Sequence, residues 1–181
     1  PDAAYVKEIV IDLAEIEPNV ALPHSPDLVK KVREIEDLKV NQVLIGSCTN
    51  SSYQDMMRTA FILKGKKIPP AVALGIAAGS RQVLSMLSAA GALGWMIDAG
   101  ARILESGCGF CVGQGQAPEM GAISLRTSNR NYKGRSGTQD AKVYLVSPET
   151  AAASALAGVL TDPRTMGMDY PDIQTPERFK L

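Results

Sequence analysis

The chain has 181 residues, of which 45% are hydrophobic and 21% are charged, and its formal net charge is zero. This length is enough for one well-filled core, so we predict a single domain. Aromatic residues make up only 5% of the sequence, and like charges never run for more than a few residues, which argues against a nucleic-acid partner. The composition is compatible with a small anionic substrate, because a few arginines suffice to bind one.

No continuous apolar stretch is long enough to cross a bilayer, and the N-terminus lacks a charged segment followed by an apolar signal core. The sequence therefore predicts no membrane partner and a place in the cytoplasm. The first residue is Pro1 rather than methionine, and the C-terminal stretch is proline-rich without periodicity. Both features are expected of a fragment of a larger polypeptide.

The chain divides into three predicted parts. Residues 1–36 are expected to form an N-terminal strand and an extended, proline-punctuated arm of the same domain. Residues 37–162 are expected to form an α/β core. Residues 163–181 are expected to be a C-terminal tail or a linker to a missing domain.

Short apolar runs without strict alternation recur along the core, and such runs are typical of strands buried on both faces, as in a parallel sheet. They lie near residues 41–46, 71–77, 101–105, 122–127 and 142–147. Helical patterns separate several of them: one begins near Ser51 or Ser52, one runs from a Ser80 cap to Gly100, and one opens at Ser147. This alternation predicts a three-layer α/β/α sandwich with a mostly parallel sheet.

The chain has three cysteines, Cys48, Cys108 and Cys111. An odd number without secretory features argues against a disulfide framework. Cys48 follows one predicted buried strand, and the Cys108-x-x-Cys111 pair follows another. Ligands collect at the carboxyl ends of strands in α/β sheets, so all three sulfurs can converge on one edge.

Four interpretations of these cysteines are open from the residues alone. Cys48 could be a small buried residue at a strand end. A redox dithiol would use Cys108 and Cys111, but such pairs normally begin a helix, and the surrounding glycines predict a loop. A structural zinc site needs a fourth ligand, and the single histidine, His24, lies in the arm. A 4Fe-4S cluster held by three thiolates would leave one iron open, which can act as a Lewis acid.

The segment "RTSNRNYKGRSG" concentrates polar and cationic residues after a predicted strand. A solvated charged loop is the ordinary interpretation of such a stretch. Arginine also binds carboxylates through two parallel hydrogen bonds, so a site for a carboxylate substrate is the alternative.

Three segments, "IGSCTNSSYQDM", "SGCGFCVGQGQ" and "TSNRNYKGR", resemble the hallmark segments of the aconitase superfamily, in the same order. The resemblance extends from about Ala21 to about Arg164. It implies that the chain is similar to the third domain of the iron-sulfur portion of these enzymes. It also implies that the three cysteines are the ligands of a 4Fe-4S cluster.

The resemblance further assigns roles in the arginine-rich segment. Asn129 and Arg130 would stand beside the cluster and the substrate, and Arg135 would bind a substrate carboxylate. No residue of this chain is a convincing catalytic base. In the family that base is a serine of a separate swivelling domain, so the isolated fragment is expected to be inactive without the missing domains.

The reaction that the resemblance implies is the reversible dehydration and rehydration of a hydroxy di- or tricarboxylate by a hydro-lyase. Citrate and isocitrate are the first expectation, which would place the enzyme in the tricarboxylic acid cycle. Isopropylmalate and homoaconitate are the alternatives. A non-catalytic, cluster-binding or RNA-interacting relative is the alternative from another class.

Overall fold

A seven-stranded mixed sheet forms the centre of the computed structural model, which describes residues 3–174 and residue 176. The strand order is β2-β1-β7-β6-β3-β4-β5, with β7, β6, β3, β4 and β5 parallel to one another and β1 antiparallel to both of its neighbours. The strands are β1 (Asn19–Ala21), β2 (Val29–Lys31), β3 (Gln42–Gly46), β4 (Ala73–Ala77), β5 (Arg102–Ile103), β6 (Ile123–Arg126) and β7 (Lys142–Leu145). Each of the five predicted strands of the core is therefore confirmed.

The described residues form four α-helices, α1 (Tyr53–Leu63), α2 (Arg81–Ala89), α3 (Ala92–Ala99) and α4 (Pro148–Ala157). All of them except α3 begin where the sequence predicts. Ser52, Ser80 and Ser147 each accept a hydrogen bond from the backbone N–H three residues later, at 3.1–3.2 Å. These bonds satisfy N–H groups that have no partner within the helix, which fixes the three helix starts.

The region after Ser80 differs from its prediction. The sequence predicts a single helix over residues 81–100, and the structure has two, α2 and α3. Gly91 separates them with a φ of 74°, in the left-handed region that favours glycine. A residue in this conformation cannot continue a right-handed helix, so the chain turns before α3 begins.

The two faces of the sheet are covered differently, because successive side chains of a strand point to opposite faces. One face packs against the helices and forms the main core, with Val43, Ile45, Leu74, Ile76 and Leu125 among its strand residues. On the other face, a second small core joins Leu44 and Ala77 to Phe110 and Cys111. The α/β class and the mostly parallel sheet are confirmed, and the second outer layer is a loop rather than a set of α-helices.

The opening of the chain forms a hairpin, β1–β2, which extends the sheet beside β7. The part before it, from residue 3 to Ile16, is exposed, with only a short 3-10 helix at Leu13–Glu15. Part of the predicted tail, residue 175 and residues 177–181, lies outside the described residues. Within the described part, no helix combines the length and apolarity that a membrane span requires.

Candidate functional site

Cys48 follows β3 at the carboxyl edge of the parallel sheet. The strand ends at Gly46, whose φ is 134° and whose missing Cβ would lie 2.1 Å from the carbonyl oxygen of Ala77. Thr127, just after β6, fixes this point: its hydroxyl accepts from the Gly46 N–H and donates to the Gly46 carbonyl, both at 2.8 Å. These contacts hold the backbone, while Cys48 itself stays exposed.

The N-terminus of α1 lies a few residues after Cys48. Ser52 and Asp55 form a capping box, in which each side chain accepts a hydrogen bond from the other residue's backbone N–H. Ser51 donates to the carbonyl of Ser47, and Asn50 donates to the carbonyl of Thr127 at 2.6 Å. The polar residues around Cys48 are therefore used to shape the turn between β3 and α1.

The other two cysteines lie in the segment from residue 104 to residue 117, here called the cysteine loop. Cys108 is exposed, and Cys111 is buried within a short 3-10 helix, Phe110–Val112. Gly113 ends this helix with a φ of 87°, and a Cβ on it would lie 2.4 Å from the carbonyl oxygen of Ser136. Only glycine allows the backbone of the cysteine loop to approach this close.

Ser136 belongs to the arginine loop, here defined as residues 127–138. The contact between Gly113 and Ser136 therefore packs the cysteine loop directly against the arginine loop. Asn131 anchors the arginine loop from its other side: its buried amide donates to the carbonyls of Leu22 and Val143, at 2.7 and 3.2 Å.

The thiols influence one another electrostatically. Burial raises the pKa of the Cys111 thiol, and negative charge on Cys108 and, more weakly, on Cys48 raises it further. The positive charges of Arg126 and Arg135 act in the opposite direction. Cys111 thus lies within electrostatic reach of both other cysteines and of two arginines.

Among residues 3–174 and 176, no group of three or more histidines, cysteines, aspartates or glutamates is arranged to hold one metal ion. A single zinc ion with bonds of about 2.3 Å would need its sulfurs within roughly 4 Å of each other. Ligands of a multi-iron cluster bind different irons and stand further apart. Both the zinc and the cluster interpretation stay predictions from the sequence.

Arg126 lies beneath the cysteine loop and is fully buried, on the face of the sheet opposite the helices. It donates to the Ser124 hydroxyl at 3.1 Å, to the Gln42 side-chain oxygen at 3.1 Å, and to the carbonyls of Phe110 and Gln116 at 2.5 and 3.4 Å. Every one of these acceptors is neutral. Burial lowers the pKa of Arg126 to about 10, still well above neutrality.

The residues predicted to bind substrate lie in the arginine loop with different exposures. Asn129 and Arg130 are exposed, and their side chains form no hydrogen bond or ion pair with another described residue. Arg135 is half-buried, with its guanidinium 5.7 Å from the centroid of the Tyr132 ring. The structure thus brings Arg135 near Cys111, whereas Arg130 is exposed.

Two clefts differ in their relation to these residues. A cleft of about 480 Å³ lies beside the cysteine loop, where Leu104, Ser106, Gly107 and Phe110 line it. A larger cleft, about 720 Å³, is lined by segments around Glu17 and Tyr170, and no cysteine lines either cleft. The chemistry of the thiols, rather than the size of the cleft, identifies the candidate site.

The site thus combines a parallel sheet, three cysteines near its carboxyl edge and a neighbouring arginine loop. The chain belongs to the Aconitase family (aconitate hydratase), whose sequence profile matches residues 28–158. The family expected from the sequence is thereby confirmed.

Individual relatives share more than two-fifths of the aligned residues. The homoaconitase large subunit of Thermus thermophilus is 43% identical over 92% of this chain. The probable methanogen homoaconitase large subunit of Methanosarcina mazei is 47% identical over 91% of it, and the 3-isopropylmalate dehydratase large subunit of Moorella thermoacetica is 43% identical over 90%. The matches cover between 39% and 41% of the length of these relatives.

Proposed function

We propose that the chain is the cluster-binding part of a hydro-lyase that reversibly dehydrates a hydroxy di- or tricarboxylate. One observation carries this proposal: Cys111 lies within electrostatic reach of Cys48, Cys108 and Arg135 where two loops pack together at the sheet edge. Thiolates suit a cluster, and arginines suit carboxylates, so one edge offers both kinds of ligand.

The residues present fit a 4Fe-4S cluster by their chemistry. The donor set consists of three soft thiols, and the fully buried Arg126 has no carboxylate partner among the described residues. The hydroxyl of Ser136 is buried there without a hydrogen-bond partner in the described part of the chain. Cys48, Cys108 and Cys111 would hold the cluster, which would supply an iron without a protein ligand as a Lewis acid.

The chain's own part in the reaction is to bind and orient the substrate. Arg130 is exposed and has no acidic partner in the described residues, so its guanidinium is available to a substrate carboxylate. Arg135 is held against Tyr132 and can present its planar donors in a fixed direction. Asn129 is exposed beside them and can donate or accept a hydrogen bond at the same edge.

Several substrates fit this class. Citrate and isocitrate, with a role in the tricarboxylic acid cycle, were the first expectation. The relatives are named homoaconitase and 3-isopropylmalate dehydratase, and these names support homoaconitate and 3-isopropylmalate at least as well. We therefore propose the hydro-lyase class and treat the three substrates as equal candidates.

The proposal also includes partners. The chain matches only about 40% of its relatives' length, and those relatives are named large subunits. We therefore propose that further domains of the same polypeptide and a small subunit complete the active site, including its catalytic base. The division of this chain at residues 36 and 162 and its place in the cytoplasm also remain predictions.

The test is anaerobic reconstitution of the full-length protein, assembled with its small subunit, with iron and sulfide. Iron counting and an electron paramagnetic resonance spectrum would report the cluster. Hydration assays with cis-aconitate, homoaconitate and the isopropylmalate alkene would then identify the substrate. A protein that takes up no iron, or that hydrates none of the three, would contradict the proposal.

A further inference from the structure

Arg126 is a buried cation without an anionic partner in the described part of the chain. None of the ion pairs there involves it, and its side chain is 0% exposed. Moving a guanidinium out of water is unfavourable unless an opposite charge or excellent hydrogen bonding compensates. Its four hydrogen bonds go to neutral oxygens, so one unit of positive charge is left uncompensated.

The buried charge of Arg126 lies directly beneath the cysteine loop. The hydrogen bonds to the carbonyls of Phe110 and Gln116 join the guanidinium to both ends of the segment that contains Cys111. Gln42 adds to this support, because its amide accepts from Arg126 and donates to the carbonyl of Ala117 at 3.3 Å. The cysteine loop therefore rests on a layer of buried polar groups with Arg126 at its centre.

We infer that Arg126 is the internal counter-charge of the three-cysteine site and the residue that positions the cysteine loop on the sheet. This inference rests on the proposed function, since the anion it requires is the thiolate-bound cluster. Cluster and thiolates together carry negative charge, and a fixed positive charge beneath them offsets it at short range. Arg126 acts through the loop and the local field, without touching the substrate.

A counter-charge can be separated from a purely structural support by its dependence on the cluster. A structural support contributes equally with and without the cluster. A counter-charge stabilises the protein mainly when the anion is bound, because in the empty protein its charge stays uncompensated. The effect of removing Arg126 should therefore be larger in the cluster-loaded protein than in the empty one.

The experiment compares wild type, Arg126→Gln and Arg126→Lys in the full-length protein, with and without the reconstituted cluster. We expect Arg126→Gln to release iron to a chelator about tenfold faster than wild type, which corresponds to about 1.4 kcal/mol. Its cluster should also have a lower midpoint potential, because loss of a nearby positive charge favours the oxidised form. Arg126→Lys keeps the charge, so its potential should stay close to that of wild type.

A matched control is available in β5, next to the cysteine loop. Arg102 donates to the Gly115 carbonyl at 3.0 Å and to the Gln116 side chain at 2.8 Å, but it is exposed. Arg102→Gln removes a cation and two hydrogen bonds where water screens the charge, so cluster release and potential should match wild type. An equal effect of Arg102→Gln and Arg126→Gln would overturn the counter-charge role.

The outcomes distinguish this inference from the proposed function. If wild type takes up no cluster, the proposed function fails and the inference fails with it. If wild type binds the cluster, and Arg126→Gln retains it equally well at the same potential, the inference alone is wrong. Should Arg126→Gln not fold, Arg126→Lys decides: a lowered potential in a variant that keeps the charge would overturn the counter-charge role.

Discussion

Two regions of this molecule differ in whether their cations have carboxylate partners. Around Glu17, the cations have partners: Lys31, Arg33 and Arg164 lie 2.7, 2.8 and 3.3 Å from its carboxylate. At the sheet edge with the cysteines, Arg126 has no carboxylate partner among the described residues.

The difference separates cations that hold the chain together from cations left for a ligand. Glu17 joins the segment before β1 to the hairpin and to the region after α4, so its ion pairs connect parts of the chain that are distant in sequence. The cations at the sheet edge have their charge uncompensated within the described protein, as a site for an anion requires. Four experiments test this difference between the two regions.

The largest effect is expected at the cysteines. Cys48→Ser, Cys108→Ser and Cys111→Ser should each abolish the cluster, because a hydroxyl is a much poorer ligand for iron than a thiolate. Iron content and visible absorption of the reconstituted full-length protein would measure the loss, and activity should vanish with it. A Cys48→Ser protein that keeps four irons would rule out the three-ligand arrangement.

The next effect concerns Arg135. Arg135→Lys keeps the charge but loses the planar pair of donors, which should cost on the order of 2–4 kcal/mol, or roughly thirty- to a thousandfold in kcat/KM. Steady-state kinetics of the full-length enzyme would measure it, with iron content unchanged. Lys133→Ala in the same loop is the control, because Lys133 is exposed and should affect turnover little. The reverse result would move carboxylate binding to other residues.

Gly113 tests whether the two loops depend on each other. Gly113→Ala places a methyl group 2.4 Å from the Ser136 carbonyl oxygen at a φ of 87°. Gly115→Ala has a similar φ of 72°, but no atom lies within 4 Å of the new methyl. We expect about 1–2 kcal/mol of destabilisation from conformation alone at Gly115, and a further 1–3 kcal/mol at Gly113 from overpacking. Chemical denaturation would measure both, and equal values would contradict the close packing.

The smallest effect is expected in the paired region. The hydrogen bond from Lys31 lowers the pKa of Glu17, and the one from Arg164 lowers the pKa of Asp162. A lowered carboxyl pKa adds stability at neutral pH that is lost as the pH falls through the pKa of the folded state. Glu17→Gln should therefore lower the melting temperature slightly at pH 7, because exposed ion pairs contribute little.

This difference from wild type should disappear in acid, where Glu17 is protonated in both folded and unfolded protein. Glu15→Gln is the control, because Glu15 is exposed and forms no ion pair with another described residue. Thermal unfolding across an acid-to-neutral pH series would measure both variants. A Glu17→Gln effect that grows as the pH falls would contradict the assigned sign.

Much of the fold follows from local signals in the sequence. The five core strands are recognisable as apolar runs. Ser52, Ser80 and Ser147 each cap a helix by accepting a hydrogen bond from the N–H group three residues later. Such contacts involve neighbouring residues, so a sequence pattern can predict them. The break at Gly91 was missed because glycine is tolerated within helices, and only its backbone angle shows that the helix ends.

The candidate site could be predicted only in part. The positions of the cysteines after strands were visible, but the burial of Arg126 was not. A signal existed in β6, where Ser124 and Arg126 alternate with Ile123 and Leu125. This alternation places two polar side chains on one face of the sheet, but what covers them depends on the cysteine loop. That loop is distant in sequence and held by contacts to backbone carbonyls, which leave no sequence pattern.

Gly46 has a consequence for how far this sequence can diverge. Its missing side chain leaves room for the Ala77 carbonyl, and its backbone angle disfavours every other residue. Substitution libraries that retain Cys48 at the sheet edge should therefore accept only glycine at this position. Gly65 and Gly91, where a methyl group would meet nothing within 4 Å, should tolerate asparagine or other residues at a modest loss. In related sequences, glycine should therefore be replaced at turns such as Gly65 and Gly91, and not at Gly46 at the end of β3.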